Sequence, residues 1–236
     1  MRMLLRRVMN HLRKQEWTAI GIDFLIVVIG VFVATQVSNW NAEGAERRHA
    51  GYLRQALHTE FMGVEDELTI SLDNITRYQA ASRSLVKALR DGDLPPNDDT
   101  VKDWILNSIN LGRQSPRSAV YLQMVSDGDL RLIDDANLGA ALIRFDQRIE
   151  RNAFVYAATL SIMFSDDPLF DAVEFDDTGE RRGAGRTVLS NDTDLIKAAK
   201  SRIEAASLAQ ASLRSAVSEQ LEDARAILAV LEKPTP

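Results

Sequence analysis

The chain has 236 residues, 34 of them acidic and 28 basic, for a formal net charge of −6, and it contains no cysteine. Disulfides and thiol chemistry are thereby excluded, and an acidic chain is a poor partner for nucleic acid.

Residues 18–38, TAIGIDFLIVVIGVFVATQVS, form an almost uninterrupted apolar run behind a basic N-terminus. At ~1.5 Å per residue a helix of this length covers roughly the 30 Å hydrocarbon core of a bilayer. Trp17 and Trp40 bracket the run, where an amphipathic ring sits at headgroup level. The run is longer than the ~7–15 residues of a secretory signal and offers no clean small-x-small cleavage site. The expectation is a transmembrane helix over residues 17–40.

Arg2, Arg6, Arg7, Arg13 and Lys14 precede the run against one acid, Glu16. This asymmetry predicts a cytoplasmic basic segment, residues 1–16, with residues 41–236 on the far side of a bacterial inner membrane, in the periplasm.

Asp23 is the one ionisable residue inside the run. An ionised carboxylate costs ~2.5–3.5 kcal/mol at the bilayer centre on insertion scales. Asp23 lies only about a turn and a half in, so two readings stay open. It reaches headgroups or pairs with Arg13 or Lys14, or it contacts a partner helix. Asp23, Val27, Gly30, Ala34 and Asn41 fall near one helical stripe, and Gly30 and Ala34 form a small-xxx-small pair that admits a second backbone closely. Gln36, Asn39 and Trp40, with Asn41, sit where the helix leaves the bilayer. Their amides suit headgroups, water or a neighbouring helix, and Trp40 sets the depth.

Residues 23–43, DFLIVVIGVFVATQVSNWNAE, resemble the anchor of a bacterial family of single-pass membrane proteins with a domain of unknown function. That signature reads acid, apolar run, IG-x-x-x-A-x-Q-x-x-NWN, and is filled here by Asp23, Ile29, Gly30, Ala34, Gln36, Asn39, Trp40 and Asn41. A weaker echo is SDGDLRLI, residues 126–133, similar to an inter-helix turn of the same family. Asp rather than Glu at position 23, Thr35 for an aliphatic residue and Ser38 for Asn depart from the pattern. The resemblance implies an architecture and no reaction.

Beyond the membrane, helical periodicity dominates. Leu53, Leu57, Phe61, Val64, Leu68, Ile75, Tyr78, Leu85 and Leu89 recur at threes, fours and sevens and predict a long stalk helix. Gly44 and Gly51 are the places for it to flex or break, and Asp91-Gly92 begins the segment that stops it. A short helix is expected after Asp98-Asp99-Thr100, with Val101, Trp104, Ile105 and Ile109 apolar. Ser115-Pro116 reads as an N-cap with proline at the first helical position, opening a helix that ends at Ser126-Asp127-Gly128. After Asp134-Asp135 the stripe Leu138, Leu142, Phe145, Ile149, Ala153, Tyr156, Leu160, Met163 predicts another helix. A loop is expected over about 165–190, followed by a last helix from Asn191-Asp192-Thr193. That helix carries Leu195, Ala199, Ile203, Ala206, Leu213, Val217, Leu221, Ala224, Leu228 and Leu231. No stretch alternates convincingly as a strand. The predicted fold class is all-α: one N-terminal transmembrane helix, an extended stalk helix and an antiparallel helical bundle.

Chemistry finds little support. The histidines are His11, His49 and His58, and no HExxH, G-x-S-x-G or Walker loop is present. Ser84 and Lys87 match S-x-x-K deep in the long helix with no K-T-G downstream. The paired aspartates complete no EF-hand loop, and most flank predicted helix ends, where Asp caps amides. Asn74-Ile75-Thr76 and Asn191-Asp192-Thr193 match glycosylation sequons at helix or cap positions. RRGAGR, with Arg181, Arg182 and Arg186, is a candidate anion-binding loop. No cofactor, no metal and no enzymatic activity are expected. The expected partners are the lipid bilayer and either other membrane subunits or further copies of the chain. The expected function is an accessory or assembly subunit docking a larger membrane complex; the alternative is a periplasmic sensory or ligand-binding module signalling through a partner.

Overall fold

A computed structural model describes residues 16–94, 98–114, 117–133, 135–164, 173–176 and 187–233. The described residues are mainly helical. The elements are α1 (Glu16–Asp91), α2 (Asp99–Ser108), α3 (Ala119–Asp127), a 3-10 turn (Asp129–Leu132), α4 (Ala136–Phe164), β1 (Val173–Asp176), β2 (Thr187–Asn191), α5 (Thr193–Ala198) and α6 (Lys200–Leu231). Two compact units divide the chain between Leu53 and Arg54.

In the first unit, α1 is unbroken through Gly44 and Gly51, which were the expected places for a bend. Continuity with the helix on either side makes each added turn cheap, because nucleation is the costly step. Among the described residues, α1 is the one helix long and apolar enough to cross a membrane, and none of its apolar window is buried within the chain. Eleven large apolar side chains, from Ile22 to Val37, are exposed there, Phe24 at 71%. That apolar window is therefore not part of the core of this fold.

The second unit is built on the predicted stripes. Leu57, Phe61, Val64, Leu68, Ile75 and Leu85 of α1 are buried, as is Leu53. Successive spacings are three, four, seven and ten residues, which keep them within about 120° on one face. Alongside runs α6, where Ile203, Ala206, Leu213, Val217, Leu221, Ala224, Leu228 and Leu231 are buried. Numbers fall along α6 as they rise along α1: Arg54 bonds Val230, Glu65 bonds Arg225, Ser82 bonds Gln210 and Arg90 bonds Glu204. α4 meets α6 with the same sense, through Arg148 with Asp223 at 2.5 Å and Asn152 with the Ala216 carbonyl at 3.3 Å. Phe61 meets Phe145 of α4 edge to face, ring centroids 5.0 Å apart. On α4 the stripe is buried only as far as Ile149; Ala153, Tyr156 and Leu160 are half-buried, and Met163 has no described side chain.

Turn chemistry sets the ends. Gly92 (φ 74°) and Gly128 (φ 75°) take the left-handed conformation that stops α1 and α3. Asp98, Asp135 and Asp192 each accept two backbone N–H bonds at the start of the helix that follows. The cap of α3 is Ser118 rather than Ser115, which lies outside the described residues. The Glu60 carboxylate reaches the same helix start, accepting from Ser118 Oγ and from the Ala119 amide at 2.6 Å.

The expected loop at 165–190 holds two strands. β1 and β2 pair antiparallel with a register shift between Glu174 and Phe175. Val173 and Val188 enter a core cluster with Leu85, Leu94, Val101, Ile105, Ile196 and Ile203. The strands have four and five residues, too short for alternation to stand out from a polar surround. The last helix is also split at Ala199, and Ile196 is buried where Leu195 was expected.

Candidate docking face of the first helix

A residue advances the helix by about 100°, so Asp23, Val27, Gly30, Ala34 and Asn41 fall within an arc of about 60°. All five are exposed. A Cβ added at Gly30 meets nothing within 4 Å, so the smallness of that residue serves no packing inside the chain. Gly44 and Arg48 continue the same face, with the slow angular drift of a seven-residue spacing on a 3.6-residue helix. The three-and-four rhythm that runs from Gly30 through Asn41 leads on to both.

The interfacial amides divide. Asn41 lies on the Asp23 face, whereas Gln36 and Asn39 lie more than about 130° away and Trp40 about 100° away. One neighbouring helix cannot touch all four, so they ring the helix instead. Trp40 is 69% exposed. Thr35 Oγ1 donates to the Phe32 carbonyl at 2.7 Å and so satisfies itself within the helix. Asp23 has no hydrogen-bond or ion-pair partner among the described residues. Trp17 is in α1 with no described side chain, and Arg13, Lys14, Arg181, Arg182 and Arg186 lie outside the described residues, as does the rest of the basic N-terminus.

Several charged groups of the second unit bridge separate elements. Arg117 makes two bonds to Asp146, at 2.7 and 2.6 Å, and approaches Glu150 at 3.2 Å. The Asp146 bond is the main reason the Arg117 guanidinium is held above its ordinary range. Burial pushes the neighbouring Tyr121 phenol up, the Asp146 charge adds to this, and Arg117 opposes it. Arg148 bridges Glu219 and Asp223. Buried Gln210 accepts from Ser82 Oγ at 2.6 Å and donates to the Ser108 and Asn110 carbonyls at 3.1 and 3.0 Å. His49 stacks on Tyr52 of the same helix, ring centroids 6.5 Å apart. Among the described residues no group of three His, Asp or Glu converges as a metal site.

No family model, no curated protein and no solved structure matches this chain.

Proposed function

We propose that the chain is a single-pass protein of a bacterial inner membrane, an accessory or assembly subunit that docks a larger membrane complex and performs no reaction of its own. In this reading the N-terminus is cytoplasmic, residues 17–40 span the bilayer, and the rest stands in the periplasm as an antiparallel helical bundle. The resemblance of the anchor signature belongs to the same reading.

The observation that carries it is the bare apolar length of α1. Eleven large apolar side chains there are exposed. Burying one fully is worth ~1.5–3 kcal/mol, so leaving them about half exposed or more costs on the order of 10 kcal/mol, comparable to the ~5–15 kcal/mol that stabilises a domain. Lipid removes that cost. Continuity supports retention of the span: a helix unbroken from Glu16 to Asp91 presents no extended segment to a signal peptidase between the apolar run and the buried stripe. The opposed sequence directions of α1 against α6 and α4 against α6 support the antiparallel bundle.

The test is native mass spectrometry of the tagged full chain, extracted from its own membranes in mild detergent. Stoichiometric foreign subunits are the expected result. A monomer or a small assembly of this chain alone overturns the accessory reading.

A further inference from the structure

Asp23 is the feature of the apolar window that lipid does not accommodate. A carboxylate at that depth carries a free-energy cost unless it is paired or protonated. Its side chain is too short to extend far along the helix, in contrast to lysine and arginine, whose long stems reach the interface. Around it the surface is prepared for close approach rather than for lipid alone. Gly30 and Ala34 stand about two and three turns further along on the same face, and a Cβ at Gly30 would enter open space. The glycine and alanine make room; the carboxylate decides what the occupant must bring.

Resting on the accessory-subunit reading, we infer that the Asp23 face of α1 receives a transmembrane helix of another polypeptide that carries a lysine or arginine at the depth of Asp23. Charge complementarity selects this occupant over a second copy of the chain. In a symmetric parallel pair Asp23 meets Asp23, and Arg48 on the same face meets Arg48. Both juxtapositions place like charges together, the first where the dielectric is low and the penalty largest. A foreign helix with a basic residue opposite Asp23 turns the same carboxylate into a charge-assisted hydrogen bond. Gly30 and Ala34 then let the two backbones close to the distance that such a bond needs.

The test places a photo-crosslinking phenylalanine analogue at Val27, on the Asp23 face, or at Phe32, on the opposite side, in the full chain in its own membranes. The crosslinked peptide is sequenced by mass spectrometry. The expected result is a foreign transmembrane peptide captured from Val27 and not from Phe32, with a lysine or arginine within one turn of the crosslink. Asp23→Asn is expected to cut that yield roughly tenfold, the equivalent of one interhelical charge-assisted bond, and Asp23→Glu to retain it. A foreign helix with no basic residue there, or an Asp23→Asn yield equal to wild type, overturns this inference and leaves the accessory reading standing. Capture of a second copy, or of lipid only, overturns the inference as well, and the native mass then decides separately whether any foreign subunit exists.

Discussion

Arg54 donates from Nη2 to the carbonyl oxygen of Val230 at 2.6 Å, across 176 residues of chain. The same nitrogen lies 3.0 Å from the Leu231 carbonyl and 2.9 Å from that of Lys233. Val230 and Leu231 supply the last carbonyls of α6, at the negative end of its dipole, and Lys233 lies two residues beyond it. A guanidinium is suited to this place because it is always charged and offers several donors in one plane. Arg54→Ala is expected to destabilise the fold by about 1.5–3 kcal/mol, the range for a hydrogen bond to a charged group. Arg54→Lys should recover part of it. Denaturant unfolding of the full chain in detergent, followed by circular dichroism, checks both.

A clamp of that kind is invisible to sequence periodicity, which reports only neighbours along the chain. What periodicity reads well is a face: the buried stripes on α1 and α6 follow the spacing of Leu57, Phe61, Val64, Leu68 and of Leu213, Val217, Leu221. Turn residues were legible for the same local reason, as at Gly92, Gly128 and Asp98. The β1–β2 pair was not, because VEFD is a single alternation whose partner lies beyond a long insertion. The cap at Ser118 is joined by Glu60, a residue 58 positions earlier, which no local spacing announces. For the candidate site, the Asp23 stripe was readable because it needs only the pitch of one helix. Its occupant was not, since the partner contributes the other half of the chemistry.

Gln210 is fully buried and ties its own helix α6 to α1, to the last residue of α2 and to Asn110 beyond it through three hydrogen bonds. Gln210→Leu strands the Ser82 hydroxyl and two backbone carbonyls away from water. The expected loss is about 2–4 kcal/mol, more than one ordinary hydrogen bond, because unsatisfied buried groups bear their full desolvation cost. Adding Ser82→Ala to Gln210→Leu removes one of the stranded groups and should recover part of the loss. A double-mutant cycle in urea measures the coupling.

Glycines on α1 and in the loop after α2 should respond oppositely to a methyl group. A Cβ at Gly112 falls 2.6 Å from Ile75 Cγ1 and 2.7 Å from its Cδ1. Ile75 is fully buried and has little room to give, so Gly112→Ala is expected to cost about 1–3 kcal/mol through overpacking. At Gly51 a Cβ meets nothing within 4 Å, and alanine is the better helix former by ~1 kcal/mol. Gly51→Ala should therefore leave the unfolding midpoint unchanged or raise it. Parallel melts of the two variants decide this, and a midpoint lowered equally in both contradicts the packing described at Ile75.

Tyr121 gives the fold a dependence on alkaline pH whose sign follows from its surroundings. Burial first, and the Asp146 charge second, raise its phenol above the ordinary value of 10.0, with Arg117 acting in the other direction. The folded chain thus holds this proton more tightly than the unfolded chain does. The associated stability is fully present below the unfolded value of about 10 and is lost as pH rises from there through the folded value. The slope of stability against pH is compared with a variant in which only this proton is missing. Tyr121→Phe keeps the ring and removes the titrating group. Its unfolding midpoint is expected to fall less steeply above about pH 10 than that of the parent chain, with the two curves parallel between about pH 7 and 9. Equal slopes above pH 10 would show that the phenol is solvated as freely in the fold as in the unfolded chain, contrary to its place beneath Arg117 and Asp146.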